Sequence, residues 1–548
     1  MWTEPRLAPA APAAAAASPG RACWLVTAAC AAVAVALRGY QLSRPGYLTG
    51  VTEYDDGVLF GNALRLVSGV IPYRDFTVVQ PPGSMLLMAP VALLAKLTGT
   101  AWGLAAARLL TAGADTASVI LLSLLVRHRG PVAVLVAGGG YAVDPDAIVA
   151  AHTFLLEPWL NLFCLAGALL AFDRDRAAAP RRLAWAGAAF GFAAAVKIWA
   201  LVPFGVLAAV LVVTSRRART AVPLAGGAAL GLGLPLLPFV ILAPGAVARG
   251  VVISQAQRDA GGTASPLTRL AVVAGLHLLP VAGPHRAVLL VLAAGVAACW
   301  AAAAVRRRLT PLDAYAAAAA AAVIVMFLLP RLYYSHYGAF AGPFLALTAA
   351  LPLAALTTPR TTPLTTPRTT PRTTPRTTAR AGAAARGRAS PGAVAAVGAG
   401  LIVALAAGVQ LRGESREYGR QAAAAAARII PAGACVLTNE PAYTVAADRF
   451  YSSVPGCPEL VDSFGTLIAM TGGLAGEAPA AAVRPVARLW QADLQRAQYV
   501  WLTSDSGGQI PWTGQLSAYF GRHFRLIGLA RAHWPRTLVP SPGVYLRR

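Results

Sequence analysis

Apolar blocks of membrane-crossing length, separated by short basic turns, constrain this chain more than any other property. A helix needs roughly 20 mostly apolar residues to cross the hydrocarbon core of a bilayer. Such blocks lie at about 22–38, 103–126, 131–148, 153–172, 183–196, 198–214, 221–243, 286–304, 313–330, 337–357 and 391–411. They predict a polytopic α-helical membrane protein of about 11 transmembrane helices. Charged residues make up 13% of the chain and mean hydropathy is +0.59. Soluble proteins run near ~25% charged, so a single water-soluble domain is excluded. A net charge of +25 would ordinarily suggest nucleic acid. Here the arginines sit in turns between apolar blocks, so they report orientation in a membrane and no nucleic-acid partner is expected.

The basic clusters are Arg127/Arg129, Arg174/Arg176/Arg181/Arg182, Arg216/Arg217/Arg219, Arg306–Arg308 and an arginine-rich stretch at 360–388. All fall on the inner side if the short block 84–98 lies on the membrane surface instead of crossing it. Residues 1–21 are then a disordered cytoplasmic tail, and loop 39–102 and everything from 412 onward are outside. Arg249, Arg258 and Arg269, in the outer loop 244–285, are exceptions. Lys197 interrupts a continuous apolar run and is expected at the outer tip of a helical hairpin, where its ammonium reaches water or a headgroup. Residues 358–390 hold a Thr-Thr-Pro-Arg repeat whose prolines forbid helix and sheet, giving an extended linker.

From 412 to 548 the apolar blocks shorten and turn residues return. Helical stretches at Glu417–Ile430 and 485–497 alternate with strand-like runs at 434–438 and 499–503, which predicts a small extracytoplasmic α/β domain. It would cover the membrane site or bind an acceptor. Cys435 and Cys457 both lie in this oxidising location and are expected to form a disulfide. Cys23, Cys30, Cys164 and Cys299 lie in apolar blocks and read as small buried hydrophobes.

Chemistry concentrates at the outer edge. The chain has 22 acidic residues, and three of them fall within Glu53-Tyr54-Asp55-Asp56. Crowded carboxylates suit a general base or an oxygen-rich site for a divalent metal, with Asp56 and Glu157 as metal ligands. Glu157, in HTFLLEPWLNLF, is a carboxylate beside hydrocarbon, which by default marks function. His152 precedes it by one and a half helical turns, and Asp144 and Asp146 share its loop. Arg74 in YRDF, Gln80 before Pro81-Pro82, Lys197 and His336 are candidate substrate-binding groups, the cations suiting a lipid phosphate. The segment Arg331–Tyr337, with Tyr334 and Tyr337, could form a sugar-binding wall. No P-loop, HExxH or CxxC motif occurs, which removes an ATP-driven pump. A lipid or sugar transporter or flippase is the competing class, although no internal repeat supports it.

In their order these features resemble the GT-C membrane glycosyltransferases, in particular the glycosyltransferase 39-like branch of protein O-mannosyltransferases and aminoarabinose transferases. The sequence carries Asp55-Asp56 after the first span, then Gln80-Pro81-Pro82, then Ala107-Arg108-Leu109-Leu110. Glu157 follows before a leucine-rich helix, then Ala194-Ala195-Val196-Lys197, and last the tyrosine-rich Tyr333–Tyr337. The resemblance covers residues 20–355. It implies an enzyme that moves a sugar from a polyprenyl-phosphate donor to an envelope acceptor on the outer face. Asp55 would then be the base, Asp56 would replace a usual Glu, and Glu157 would replace a frequent Asp. Gln80 stands where relatives often carry a basic residue, so Lys197 or Arg74 would hold the phosphate.

Overall fold

The computed structural model describes residues 20–256, 264–276, 285–329, 333–357, 391–416, 419, 422–472, 479–529 and 539–548. Arg258, Arg331, Glu417, the 358–390 linker and the tail before residue 20 lie outside the described residues. Among the described residues, eight helices are long and apolar enough to cross a membrane. A ninth span results if Pro131–Ala142 and Pro145–Ala151, bent by 53°, count together. Two of the expected spans are shorter helices, Glu157–Ala171 with 15 residues and Pro180–Val196 with 17. At 1.5 Å per residue these reach about 22 and 26 Å, short of the ~30 Å hydrocarbon core. The chain is a multi-pass helical membrane protein.

Packing between spans follows a rule special to membranes. Lipid tails give no hydrophobic drive for helix association, so close backbone approach through small residues supplies the contact. Helix Pro180–Val196 carries Gly187 and Gly191, and helix Val222–Leu242 carries Gly227 and Gly231. A Cβ added at Gly187 would lie 1.9 Å from the carbonyl oxygen of Leu224, and one at Gly227 would lie 1.9 Å from that of Ala184. The two helices therefore touch backbone to backbone.

Buried polar groups tie the other spans. Arg38 pairs with Asp115, which also accepts from the Tyr141 hydroxyl at 2.6 Å. Asn161 donates to Tyr141 Oη at 2.9 Å and to the carbonyl of Ala339 at 2.7 Å. At the arginine-rich end of the bundle, Arg129 pairs with Asp175 at 2.6 Å and Asp313 at 3.3 Å, and Arg307 pairs with Asp313 at 2.6 Å.

The C-terminal region is α/β. Its sheet runs in the order Val436–Thr438, Tyr499–Leu502, Gly543–Arg547, Phe524–Gly528, with the first pair parallel and the others antiparallel. Helices Ala480–Arg496 and Gly514–His523 pack on it around Trp490 and Phe520. Cys435 and Cys457 form the expected disulfide, with Cα atoms 5.5 Å apart.

This region sits on the first loop. Helix Tyr54–Val67 passes so close to helix Pro441–Ala446 that a Cβ at Gly57 would fall 2.2 Å from the backbone nitrogen of Ala442. Asp448 accepts from the backbone N–H of Ala101 at 2.9 Å, at the start of helix Thr100–Val126. The other end of that helix runs into Arg127–Arg129. The C-terminal region and the arginine cluster thus occupy opposite ends of one span.

Candidate active site

Where the loop, the bundle and the C-terminal region meet, they enclose a cavity of about 330 Å³. Glu53, Asp55, Gln80, Glu157, Lys197, Tyr334, His336 and Tyr337 line it from the membrane side, and Asp462, Asp505 and Gln509 from above. Of the residues singled out in the sequence, Asp55, Gln80, Glu157, Lys197, Tyr334, His336 and Tyr337 are brought together here. Asp56, Arg74 and His152 are not.

The separation of Asp55 from Asp56 has a simple cause. Helix Tyr54–Val67 begins between Glu53 and Tyr54, so the two acids occupy its first turn. Successive helical residues point about 100° apart. Asp55 faces the cavity. Asp56 is fully buried and accepts from Arg108 Nε at 3.1 Å and Nη2 at 2.5 Å, and from the Thr153 hydroxyl. Arg108 Nη1 also gathers the carbonyls of Tyr47, Leu48 and Gly50 at 2.6, 3.0 and 2.8 Å. Asp56 and Arg108 are therefore a structural clamp holding the first loop on its neighbouring span.

His152 was expected on the helix of Glu157, but that helix starts only at Glu157 and a turn precedes it. The turn carries the imidazole to the clamp, where it meets the Tyr47 ring edge-on at 5.0 Å. Arg74 is half exposed and forms a two-point pair with its neighbour Asp75 at 2.8 and 3.0 Å. It is not among the residues that line the cavity.

Lys197 departs from expectation in another way. It does not reach out to water. It terminates helix Pro180–Val196, is only 5% exposed, and its Nζ donates to Glu157 Oε1 at 2.6 Å. The ammonium also lies 3.4 Å from the Trp199 ring centre and 4.5 Å from that of Tyr337. Burying a charge so deeply requires a partner, and Glu157 is that partner. The Gln80-Pro81-Pro82-Gly83 turn is fixed beside it. A Cβ at Gly83 would come within 2.5 Å of the Ala195 carbonyl oxygen, and the Gln80 carbonyl accepts from the Tyr73 hydroxyl at 2.5 Å.

A divalent metal held by Asp56 and Glu157 does not fit these contacts. Each carboxylate is already neutralised by a separate cation, Asp56 by Arg108 and Glu157 by Lys197. Among the described residues no group of three or more His, Cys, Asp or Glu side chains is arranged to hold a metal ion.

Sequence reasoning missed Glu53 and the roof. Glu53 is the extended residue before helix Tyr54–Val67, and its carboxyl is pushed up to about 8 by burial first and then by Asp55, Asp56, Glu440 and Glu157. It was visible as the third acid of the cluster. The roof is docked through Tyr54, whose hydroxyl donates to Asp462 Oδ1 at 2.9 Å and accepts from the Phe464 N–H at 3.1 Å. No local signal marked Asp462, Asp505 or Gln509, because they reach the site only through a long-range fold.

Among solved structures, ArnT from Cupriavidus metallidurans bound to undecaprenyl phosphate is similar over 96% of this chain and 98% of its own, at 16% identity and a TM-score of 0.56. The same protein in the apo state gives 17% identity over 96% and 97% of the two chains, with a TM-score of 0.56. The chain has the GT-C fold. The Archaeoglobus fulgidus oligosaccharyltransferase tethered with an acceptor peptide is similar over 91% of this chain and 70% of its own, at 12% identity and a TM-score of 0.51. No protein-family model matches the sequence, and no curated protein matches it. The match to ArnT extends over nearly the full length of both chains, so spans and C-terminal region share one architecture with it.

Proposed function

We propose that this GT-C protein is a membrane glycosyltransferase that moves a sugar from a polyprenyl-phosphate donor to an envelope acceptor, with its C-terminal domain outside the cytoplasm. The observation that carries this reading is the juxtaposition, in one cavity, of a buried lysine and a carboxylate, Asp55, with no ion pair among the described residues. Lys197 and Asp55 both line the space, and its walls include Tyr334, His336 and Tyr337. The ArnT that shares this fold was solved with undecaprenyl phosphate, which supports a lipid phosphate as the membrane-side ligand. The arginine clusters at the far end of the spans support an outward-facing cavity.

In this reading the donor phosphate approaches Lys197, whose ammonium stabilises the charge that develops on the leaving phosphate. Asp55 accepts the proton of the acceptor hydroxyl as that oxygen attacks the anomeric carbon. One bond forms from the acceptor oxygen to the anomeric carbon, and the bond from that carbon to the phosphate oxygen breaks. A single displacement inverts the anomeric centre. Glu157 holds Lys197 in place, and Gln80 is a neutral hydrogen-bonding group beside it.

The test is transfer of label from undecaprenyl-phosphate-linked sugars by the purified protein in lipid nanodiscs. Asp55→Asn keeps the shape and removes the base, and turnover should fall by about 10²–10⁴-fold. Near-normal turnover in that variant would refute the assignment of the base.

A further inference from the structure

One side chain on the roof is oriented by a relay of hydrogen bonds that leaves it no choice. Amide oxygen and nitrogen are alike in shape, so the direction of an isolated glutamine is an open question. Here a backbone donor decides it. The N–H of Thr503 donates to Asn439 Oδ1 at 2.9 Å, which turns the Asn439 NH2 the other way. That NH2 donates to Thr503 Oγ1 at 2.8 Å and to Gln509 Oε1 at 2.6 Å. Ser463 Oγ, bound to the Asn439 carbonyl at 2.6 Å, stands 3.4 Å from the same Gln509 oxygen. Asn439 and Ser463 are fully buried and Gln509 is 8% exposed. The Gln509 Nε2 is left with no protein partner among the described residues, on a side chain that lines the cavity.

Buried amides are normally satisfied at both ends. This one is satisfied at the oxygen by Asn439 and presents its two N–H groups to the cavity. Its surroundings define what it can meet. Asp462 and Asp505 share the roof, and Glu53 and Asp55 line the same cavity. An ionised carboxylate only accepts hydrogen bonds, whereas a hydroxyl both accepts and donates. A phosphate in this region would accept from Gln509 but face the carboxylates with like charge. A hydroxyl satisfies both kinds of neighbour.

We propose that Gln509 is a specificity-determining residue for the acceptor, donating an Nε2–H···O hydrogen bond to a hydroxyl of a polyhydroxylated, sugar-like acceptor, in the cavity that Lys197 also lines. This rests on the glycosyl-transfer reading and refines it.

Gln509→Glu tests it cleanly. The substitution keeps Oε1 for Asn439 and replaces only the cavity-facing NH2. The full-length protein in nanodiscs would be given a panel of undecaprenyl-phosphate-linked hexoses and pentoses, with methyl glycosides and their singly deoxygenated forms as acceptors. The acceptor KM should rise about tenfold, the size expected for one lost hydrogen bond plus a repelled hydroxyl, with kcat within about twofold. Affinity for undecaprenyl phosphate alone should not change. One deoxygenated acceptor should be penalised by the wild type and not by Gln509→Glu, a ligand–residue coupling that a merely structural role would not produce. Gln509→Met, which fills the space without either polar atom, covers the case in which the glutamate variant fails to fold. Unchanged acceptor KM in a variant that still transfers overturns this inference alone, and so does a loss confined to undecaprenyl-phosphate binding. Wild-type protein that binds undecaprenyl phosphate yet transfers to none of these acceptors overturns the transfer reading and this inference together.

Discussion

Two adjacent aspartates with different tasks set the lesson at the scale of residues. Asp55 looks into the cavity, while Asp56 is locked to Arg108 inside the protein. Removing one member of a buried pair leaves the other charge uncompensated, at a cost of about 3–5 kcal/mol. Asp56→Ala should therefore lower the melting temperature of the purified protein, whereas Asp55→Asn should leave it nearly unchanged while lowering turnover by about 10²–10⁴-fold. A second outcome concerns Glu53. Its carboxyl sits near 8 in the folded protein against an ordinary value of 4.5, so the folded state holds that proton more tightly than the unfolded state. Its contribution to stability is complete below about pH 4.5 and is lost as pH rises toward 8. Melting temperatures of the wild type measured from pH 5 to 9 should fall along this window relative to Glu53→Gln. Parallel curves would contradict it. The cluster was legible in the sequence because acids are rare in this chain. Its division was not, because it depends on which residue begins a helix, and neighbouring helix ends are the least determined feature of a sequence. Arg74 and His152 failed for the same local reasons: one is consumed by Asp75, and the other is carried off by a turn before Glu157.

Among the elements, hydrophobic length made the spans legible, since a bilayer demands it. The block at 153–172 was overextended because periodicity does not reveal the turn that precedes Pro158. The final strand Gly543–Arg547 went unread, since its partners Tyr499–Leu502 and Phe524–Gly528 are supplied by the fold and not by neighbouring sequence. Glycine spacing was an available signal that hydropathy hides. Gly187/Gly191 and Gly227/Gly231 each repeat at four residues and make the crossing of two helices. Gly187→Val would place carbon against the Leu224 carbonyl, and overpacking of this kind costs at least about 1–3 kcal/mol. Reduced yield of folded protein in detergent, with a lower melting temperature, is the expected result, and a neutral effect would show that the helices can part. At the junction with the first loop, Gly57→Val should press the C-terminal domain off helix Tyr54–Val67. Limited proteolysis should then cleave at the junction faster than in the wild type.

Taken as a whole molecule, the protein is a bundle with a fixed ceiling. The ceiling is held at Gly57, at Tyr54 with Asp462, and at Asp448 with Thr100 and Ala101. Sequence indicated that a folded domain follows the last span and would cover the membrane site or bind an acceptor, but not which of its residues line the cavity. The Cys435–Cys457 disulfide closes a loop with a separation of 22 residues. Chain-entropy arguments assign such a closure about 3 kcal/mol. Reduction should lower the unfolding temperature of the intact protein and raise the acceptor KM as the roof loosens. The pair of Lys197 and Glu157 has a further consequence at this scale. An empty pocket does not leave a bare cation in a greasy environment, since the glutamate keeps the lysine company between turnovers. In the proposed reaction, an incoming lipid phosphate would have to share or displace that companion, and the spent carrier would be expelled more readily because the companion stands ready to return. The resting contact thus lowers the grip on substrate and product alike, which favours a catalyst that releases over a receptor that retains.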